Sequence, residues 1–431
     1  MSKPIEAQEA HRPLSRRARG SVLVLVLGAA RLASACAGGD SAVSSDAALR
    51  PPAIGAPATG RQPAYAAALL PALQRIVAET LAPGAAVLVR SPELGDWTAT
   101  FGTRTLGGTV PVSLADHVRI GSNTKTWTGT VILQLVQEGK LRLDDPVSTH
   151  RPDVPNGQHI TIDQLLSMRS GLYNYSESLE LNQTLDTNPS KVWSPDELLA
   201  IAYKNPPYFP PGRGFHYSNS NTVLLGLIVE KLTGLSAEEA FRTRIFAPLG
   251  LANTALPSRG SSALPTPYPR GYQFGTNVET MASEVLPADQ QAAARAGTLK
   301  PRDVTLDNPS WAWTAGAGVS TAEDLARYAQ ALVGGGLLND EMQRRRLGSI
   351  RPIEPDDPKS PGYGWALARF GPVYGHTGEL PGYNSFMGYD PARKITIVVW
   401  SSLAAAPDGR PPAVEMAKAI VAELYGSQAG K

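Results

Sequence analysis

The chain has 431 residues, room for one large domain or two or three ordinary ones. Its 40 Lys and Arg against 38 Asp and Glu leave a formal charge of +2, which argues against a nucleic-acid binder with a concentrated basic surplus. Hydrophobic residues at 42% exclude bulk disorder, and the single Cys36 excludes both a disulfide framework and a cysteine-based zinc site.

The basic character belongs to the first 36 residues. Lys3, Arg12, Arg16, Arg17, Arg19 and Arg31 face only Glu6 and Glu9 there, so the remainder of the chain is net acidic. Arg16, Arg17 and Arg19 precede an apolar run over 22–30 that is too short for a stable membrane anchor, the pattern of an export signal. Two readings of its end compete. Ala33-Ser34-Ala35 forms an A-x-A cleavage site and releases a free product, or the segment acts as a lipoprotein signal and Cys36 is lipidated. The position of Cys36 at the cleavage point favours lipidation, although Ala33 stands where such signals usually carry Leu. Residues 37–62 are rich in Ala, Ser, Pro and Gly and read as a flexible tether between an anchor and a domain over 63–427.

The periodicity predicts a helix over Tyr65–Leu81, with Leu69, Leu73 and Val77 on one face. Strands over Ala85–Arg90 and Trp97–Gly102 follow as a hairpin. A long apolar-periodic helix runs from Ser122 through Gln137. Helices and Pro-rich loops fill the stretch to Asn308, including a helix over Thr222–Leu232. Strands return at Val373–Gly378, Ser385–Tyr389 and Lys394–Ser402, and a helix over Val414–Tyr425 closes the chain. Three strands on short connections imply antiparallel pairing. The expected fold is therefore α/β: an antiparallel sheet flanked by helices (63–120 and 311–427) with an inserted, mostly helical lobe (121–310) and a cleft where the two meet.

The chemistry must come from side chains in that cleft. Six histidines are scattered without an HExxH pair, no G-x-S-x-G elbow occurs, and no phosphate-binding loop opens a helix, so no metal or cofactor is expected. One S-x-x-K occurs, Ser122-Asn123-Thr124-Lys125. It places the lysine one turn beyond the serine, on the same face of a helix start whose N–H groups are free. By itself the serine could be only a helix cap. A largely dehydrated lysine with a lowered pKa would instead be able to take its proton. Tyr217-Ser218-Asn219 opens another helix 95 residues after Ser122, and His376-Thr377-Gly378 ends a strand about 160 residues further on.

In this order and spacing the three motifs resemble those of the penicillin-recognising serine hydrolases. The resemblance runs from about Ala85 to Leu424. The stretches Leu133–Leu143, Ile160–Tyr173, Tyr217–Asn219 and Tyr374–Gly378 are most similar to the class C β-lactamase-like branch, which holds serine D-alanyl-D-alanine carboxypeptidases and transpeptidases, D-aminopeptidases and esterases. His376, where class C β-lactamases carry Lys, points to the peptidase side.

The resemblance implies a set of roles. Ser122 is the nucleophile, and Lys125 and Tyr217 form its base system. Asn219 binds the substrate amide and Lys125, His376 keeps the site polar or positive, and Thr377 hydrogen-bonds the substrate. The backbone N–H groups of Ser122 and Glu379 form the oxyanion hole, and Trp311 walls the cleft, although simple packing explains Trp311 and Trp313 as well. Two departures concern substrate. Glu379 stands where the peptidase has a carboxylate-binding Thr, and Ala368 stands where it has an Arg, with Arg369 one residue away. The expected activity is an acyl-enzyme hydrolase of the cell envelope, a D-amino-acid peptidase of D-alanyl-D-alanine carboxypeptidase- or transpeptidase-like type. Its expected substrate is a peptide or ester such as a peptidoglycan stem peptide, with no nucleic-acid partner and membrane contact only through Cys36. The alternatives are an esterase or β-lactamase, or an idle homologue that binds cell-wall peptides or β-lactams.

Overall fold

Helix α1 (Ala64–Thr80) buries Leu69, Leu73 and Val77 and ends where Leu81 adopts left-handed backbone just before Pro83. The computed structural model describes residues 62–354, 357 and 360–426, so the export signal, Cys36 and nearly all of the tether lie outside the described residues. After α1 the chain forms the hairpin β1 (Gly84–Arg90) and β2 (Trp97–Gly102). A short turn of helix (Gly121–Asn123) leads into α2 (Thr124–Gln137), and α3 spans Asn219–Thr233. Beyond these come α4 (Ala322–Gly334), three short strands β3 (Arg351–Pro352), β4 (Gly362–Tyr363) and β5 (Ala368–Phe370), then β6 (Val373–Leu380), β7 (Tyr383–Asp390), β8 (Ile395–Ser401) and α5 (Pro412–Tyr425).

These strands form one eight-stranded antiparallel sheet in the order β2-β1-β8-β7-β6-β5-β4-β3. Strand alternation splits its side chains between two cores. Ala85, Val87 and Val89 of β1, with Ile395, Ile397 and Val399 of β8, face the core shared with α1 and α5. Ala86 and Leu88, with Val398 and Trp400, face the opposite core, which holds α4 and the helical lobe. The inner strands are therefore covered on both faces, and β8 is buried along its whole length. The N- and C-terminal elements are inseparable, since β1 pairs with β8 from Ala85↔Ser401 to Arg90↔Thr396.

The lobe is organised around α2, whose Trp127, Val131, Ile132, Leu133 and Leu135 are fully buried and which packs on α3. It is not free of strands. Tyr272–Gln273 pairs with Arg302–Asp303 inside it, and Val118–Arg119 pairs with Val319–Ser320 at its junction with the sheet. The edge strands β3 to β5 carry too few residues to show an alternating pattern. No helix among the described residues is long and apolar enough to cross a membrane.

Candidate active site

Two close backbone approaches build the site. Gly121 has φ +54°, and a Cβ there would lie 2.3 Å from the Glu379 nitrogen. A Cβ on Gly378 would lie 1.8 Å from the Ile120 carbonyl oxygen. Only glycines at both positions let the turn before α2 lie directly on strand β6. Asn123 fastens the contact, its Nδ2 donating to the Ile120 carbonyl at 2.9 Å and to Ser385 Oγ of β7 at 2.9 Å. The backbones of Ser122 and Glu379 thereby come together at the mouth of a cleft of about 710 Å³. Ser122, Tyr217, Asn219, Trp311, Thr377 and Glu379 all line it. The first N–H groups of a helical turn have no partner within it, which leaves such donors available to an anion.

Lys125 is fully buried behind Ser122. Its Nζ lies 3.1 Å from Ser122 Oγ, 2.6 Å from Asn219 Oδ1 and 2.7 Å from the Ala315 carbonyl oxygen. Burial pushes the ammonium pKa well below its ordinary value. In the neutral amine, the two N–H bonds can be given to Asn219 and Ala315, and the lone pair then remains for the serine hydroxyl. The Tyr217 ring packs 4.8 Å from the same Nζ. Burial drives the phenol pKa well above its ordinary value, with neighbouring Tyr363 adding to the rise and the Ser122 hydroxyl opposing it. Its hydroxyl is buried and makes no well-formed hydrogen bond among the described residues. A neutral amine and a protonated phenol thus flank the serine, a base and a donor within reach of one hydroxyl.

His376 departs from expectation. It is fully buried, does not line the cleft, and packs against Tyr217 and Tyr363, whose rings also touch each other. Its Nδ1 lies 2.6 Å from the Thr377 carbonyl oxygen and its Nε2 lies 3.1 Å from Tyr363 Oη. Nδ1 therefore carries the proton, and Nε2 accepts from the tyrosine. Burial, then the positive charge that Lys125 carries when protonated, lowers its pKa to about 3. The imidazole is neutral and supports Tyr217 from behind, so it supplies neither positive charge nor a direct substrate contact.

Trp311 is half-buried on the cleft wall, and its carbonyl accepts from Tyr175 Oη at 2.7 Å, whereas Trp313 is buried in the core. Thr377, Gly378 and Glu379 of β6 open onto the cleft, whereas His376 just before them does not. The Glu379 carboxyl also faces the cleft and meets Glu284 from the loop before Leu286. Burial, then the charge of Glu284, holds the Glu379 pKa well above the ordinary carboxylate range. Arg369 is exposed, donates from Nε to the Gly371 carbonyl at 2.8 Å and stacks on Tyr374, so it does not enter the cleft. Several participants were not singled out from the sequence: Asn174, Ser176 and Glu177 beside Asn219, the Ala315 carbonyl, and Glu284. Asn174 directly follows the Ile160–Tyr173 stretch, and Ala315 lies two residues after Trp313. A backbone acceptor and a loop acid have no signature of their own. Among the described residues no group of three or more His, Cys, Asp or Glu could hold a metal ion.

Comparison with known proteins identifies the family and the fold. A family model described as Beta-lactamase matches residues 73–420. A penicillin-binding protein of Bacillus subtilis (strain 168) is 27% identical over 301 residues, 67% of this chain and 61% of that relative. The chain spans 61% of the length of a second such relative from the same organism as well. Among solved structures, a D-stereospecific amidohydrolase from Streptomyces sp. is 30% identical with a TM-score of 0.69, covering 83% of this chain and 98% of its own. The D-amino acid amidase of Ochrobactrum anthropi SV3, complexed with D-phenylalanine, is 25% identical with a TM-score of 0.69, covering 84% and 100%. The chain belongs to the β-lactamase family of serine hydrolases, within the penicillin-recognising superfamily.

Proposed function

We propose that the protein is an exported serine hydrolase that acylates Ser122 with D-amino-acid amides or peptides. Ser122 Oγ attacks the substrate carbonyl carbon as its proton passes to the neutral Lys125 amine. The oxyanion is held by the Ser122 and Glu379 N–H groups. Collapse of the intermediate breaks the C–N bond. The leaving amine takes a proton from Tyr217, which regains one from the Lys125 ammonium. Water then attacks the ester carbonyl, gives its proton to the same pair, and releases Ser122 with the second product.

The observation that carries the choice of substrate is the acid at position 379. Glu379 lies in the cleft beside Glu284, and Arg369 is turned out of it. Burial raises the pKa of both carboxyls, and the charge of Glu284 raises that of Glu379 further, so one more carboxylate brought beside them is disfavoured, whereas an amide or an amine is accepted. The likeness to a D-stereospecific amidohydrolase and to a D-amino acid amidase supports the same side of the family. Together these favour an amidase or aminopeptidase for D-residues over a strict carboxypeptidase, the direction that Glu379 and Ala368 already indicate in the sequence.

The test compares a D-amino acid amide, a peptide ending in free D-alanine and a short-chain ester, in the native protein and in Glu379→Thr. The native protein should hydrolyse the amide faster than the free acid. Glu379→Thr should keep ester acylation within about tenfold, since any residue but proline supplies the backbone N–H, and should raise the free-acid to amide ratio. An unchanged ratio would show that the side chain does not select substrate. Export rests on the basic and apolar leader, and membrane attachment on Cys36. Mass spectrometry of the membrane fraction should find a diacylglyceryl-modified Cys36 at the mature N-terminus, and Cys36→Ser should release the protein. Recovery of the unmodified native protein from the medium would support free secretion instead.

A further inference from the structure

The Asn219 amide does not orient itself. A side-chain amide can present either its oxygen or its nitrogen to a neighbour, and only the oxygen can accept from Lys125 Nζ. In this protein the choice is made from a segment that precedes the Tyr-x-Asn motif by some 40 residues. Asn219 Nδ2 donates to Ser176 Oγ at 2.9 Å, which turns Oδ1 towards Lys125. Ser176 Oγ in turn donates to Asn174 Oδ1 at 2.9 Å. The same Asn174 oxygen accepts the backbone N–H of Asn219 at 3.0 Å, capping the first turn of α3, where the Ser218 side chain makes no capping bond. Asn174 is thereby used twice, once to seat the backbone of Asn219 and once to direct the hydroxyl that sets its side chain.

Asn174 is fixed in its own turn. Its Nδ2 donates to Glu177 Oε1 at 3.1 Å. His216 Nε2 lies 3.1 Å from that oxygen, and Tyr208 Oη donates to Glu177 Oε2 at 2.6 Å. The loop closes where the Asn174 backbone N–H donates to Tyr208 Oη at 3.1 Å, and the Tyr208 ring stacks on His216 at 3.5 Å. Burial alone would raise the Glu177 pKa, but the bonds from His216, Tyr208 and Asn174 outweigh it and hold the group below the ordinary range. Glu177 is therefore an acceptor at both oxygens. With that end defined, every donor and acceptor along Glu177, Asn174, Ser176 and Asn219 has one available direction as far as Lys125.

We propose that Asn174, Ser176 and Glu177 are positioning residues for acylation: together they hold the Asn219 amide oxygen on Lys125, so that the amine lone pair is directed at Ser122. If the amide turned over, an N–H would face Nζ and compete for that lone pair. The proposal does not depend on which substrate the cleft takes, because the serine's reactivity is set before any substrate is chosen.

The test uses a fluorophosphonate, which reports on Ser122 alone, with its inactivation resolved into a maximal rate and a half-saturating concentration. Ser176→Ala should lower the maximal rate by roughly tenfold or more, the scale on which lost alignment acts. The half-saturating concentration should stay within about twofold, as expected when no contact to the bound reagent is lost. Ser176→Thr, which keeps the hydroxyl, should recover most of the rate. Asn174→Asp, which keeps the acceptor but loses the donor to Glu177, should be slowed as well. Thermal unfolding of each variant separates this from loss of fold. A maximal rate unchanged in both Ser176→Ala and Asn174→Asp overturns the proposal. A half-saturating concentration that rises at constant rate does so too, since it would make Ser176 a substrate contact. So does failure of Ser176→Thr to recover a rate lost in a folded Ser176→Ala.

Discussion

At Lys125 a single physical term decides what the residue can do. The side chain is fully buried and has no carboxylate partner among its three polar contacts, so dehydration is uncompensated and the neutral amine is favoured. Tyr217, buried beside it, is pushed the opposite way and keeps its proton. Lys125→Ala and Tyr217→Phe should therefore each slow turnover by at least ~10²-fold, the usual scale for a positioned base or acid, in steady-state assays of folded protein. The acid limb of the acylation rate belongs to Lys125. Since its pKa is lowered, the base form persists well below the ordinary lysine range, and activity should fall only as pH drops through the depressed value. His376 carries a separate pH effect on stability. The unfolded imidazole binds a proton near 6.5, whereas the folded one does so only near about 3. Between these values the unfolded state holds more protons, so stability falls as pH falls, by up to about 1.4 kcal/mol per pH unit. Chemical denaturation of His376→Asn from pH 7 to pH 4 should show a shallower loss than the native protein.

At the level of elements, the contact between β6 and the turn before α2 does the most for function. It joins the sheet to the helical lobe through backbone, with no room for a side chain at Gly121 or Gly378. Gly378→Ala should separate the Ser122 and Glu379 N–H groups and cost roughly 10²-fold or more in acylation, the scale of a lost oxyanion donor. It should also lower the unfolding temperature, because the new methyl meets the Ile120 carbonyl and the Ser385 hydroxyl rather than a flexible side chain. Rate constants and thermal melts measured together would show both effects. The long elements were legible because their patterns are long. Trp97–Gly102 is the strand predicted from the sequence, and α1, α2, α5 and β6 to β8 differ from their predicted spans only by a few residues at their ends. The start of α2 is shifted because Gly121–Asn123 form a tighter turn, which leaves Ser122 outside the α-helix proper while keeping Lys125 within 3.1 Å. Strands of two or three residues, such as β3 to β5, leave no periodicity to read.

Across the molecule, the site is assembled from six separate stretches: the turn before α2 with the first residues of that helix, the start of α3, the 174–177 loop, the loop that carries Glu284, the segment from Trp311 to Ala315, and strand β6. The S-x-x-K spacing nominates Ser122 and Lys125, and the resemblance of the three motifs to those of the penicillin-recognising serine hydrolases nominates Tyr217 and Asn219. The sequence could not show that His376 packs behind Tyr217, since a strand residue's face depends on register with β5 and β7. Nor could it show that Glu284 meets Glu379, since that contact joins a loop to a strand almost 100 residues away. The same assembly explains how the lobe and the sheet can make one reactive serine. Burial of Lys125 needs the lobe, and the approach of Glu379 to Ser122 needs the sheet. The most direct test of that claim is peptide mapping by mass spectrometry after the native protein is treated with a fluorophosphonate and with a penicillin. Both reagents should leave one adduct on the peptide containing Ser122, and Ser122→Ala, folded by its melting curve, should carry none. An adduct on another residue, or one that persists in Ser122→Ala, would contradict the account.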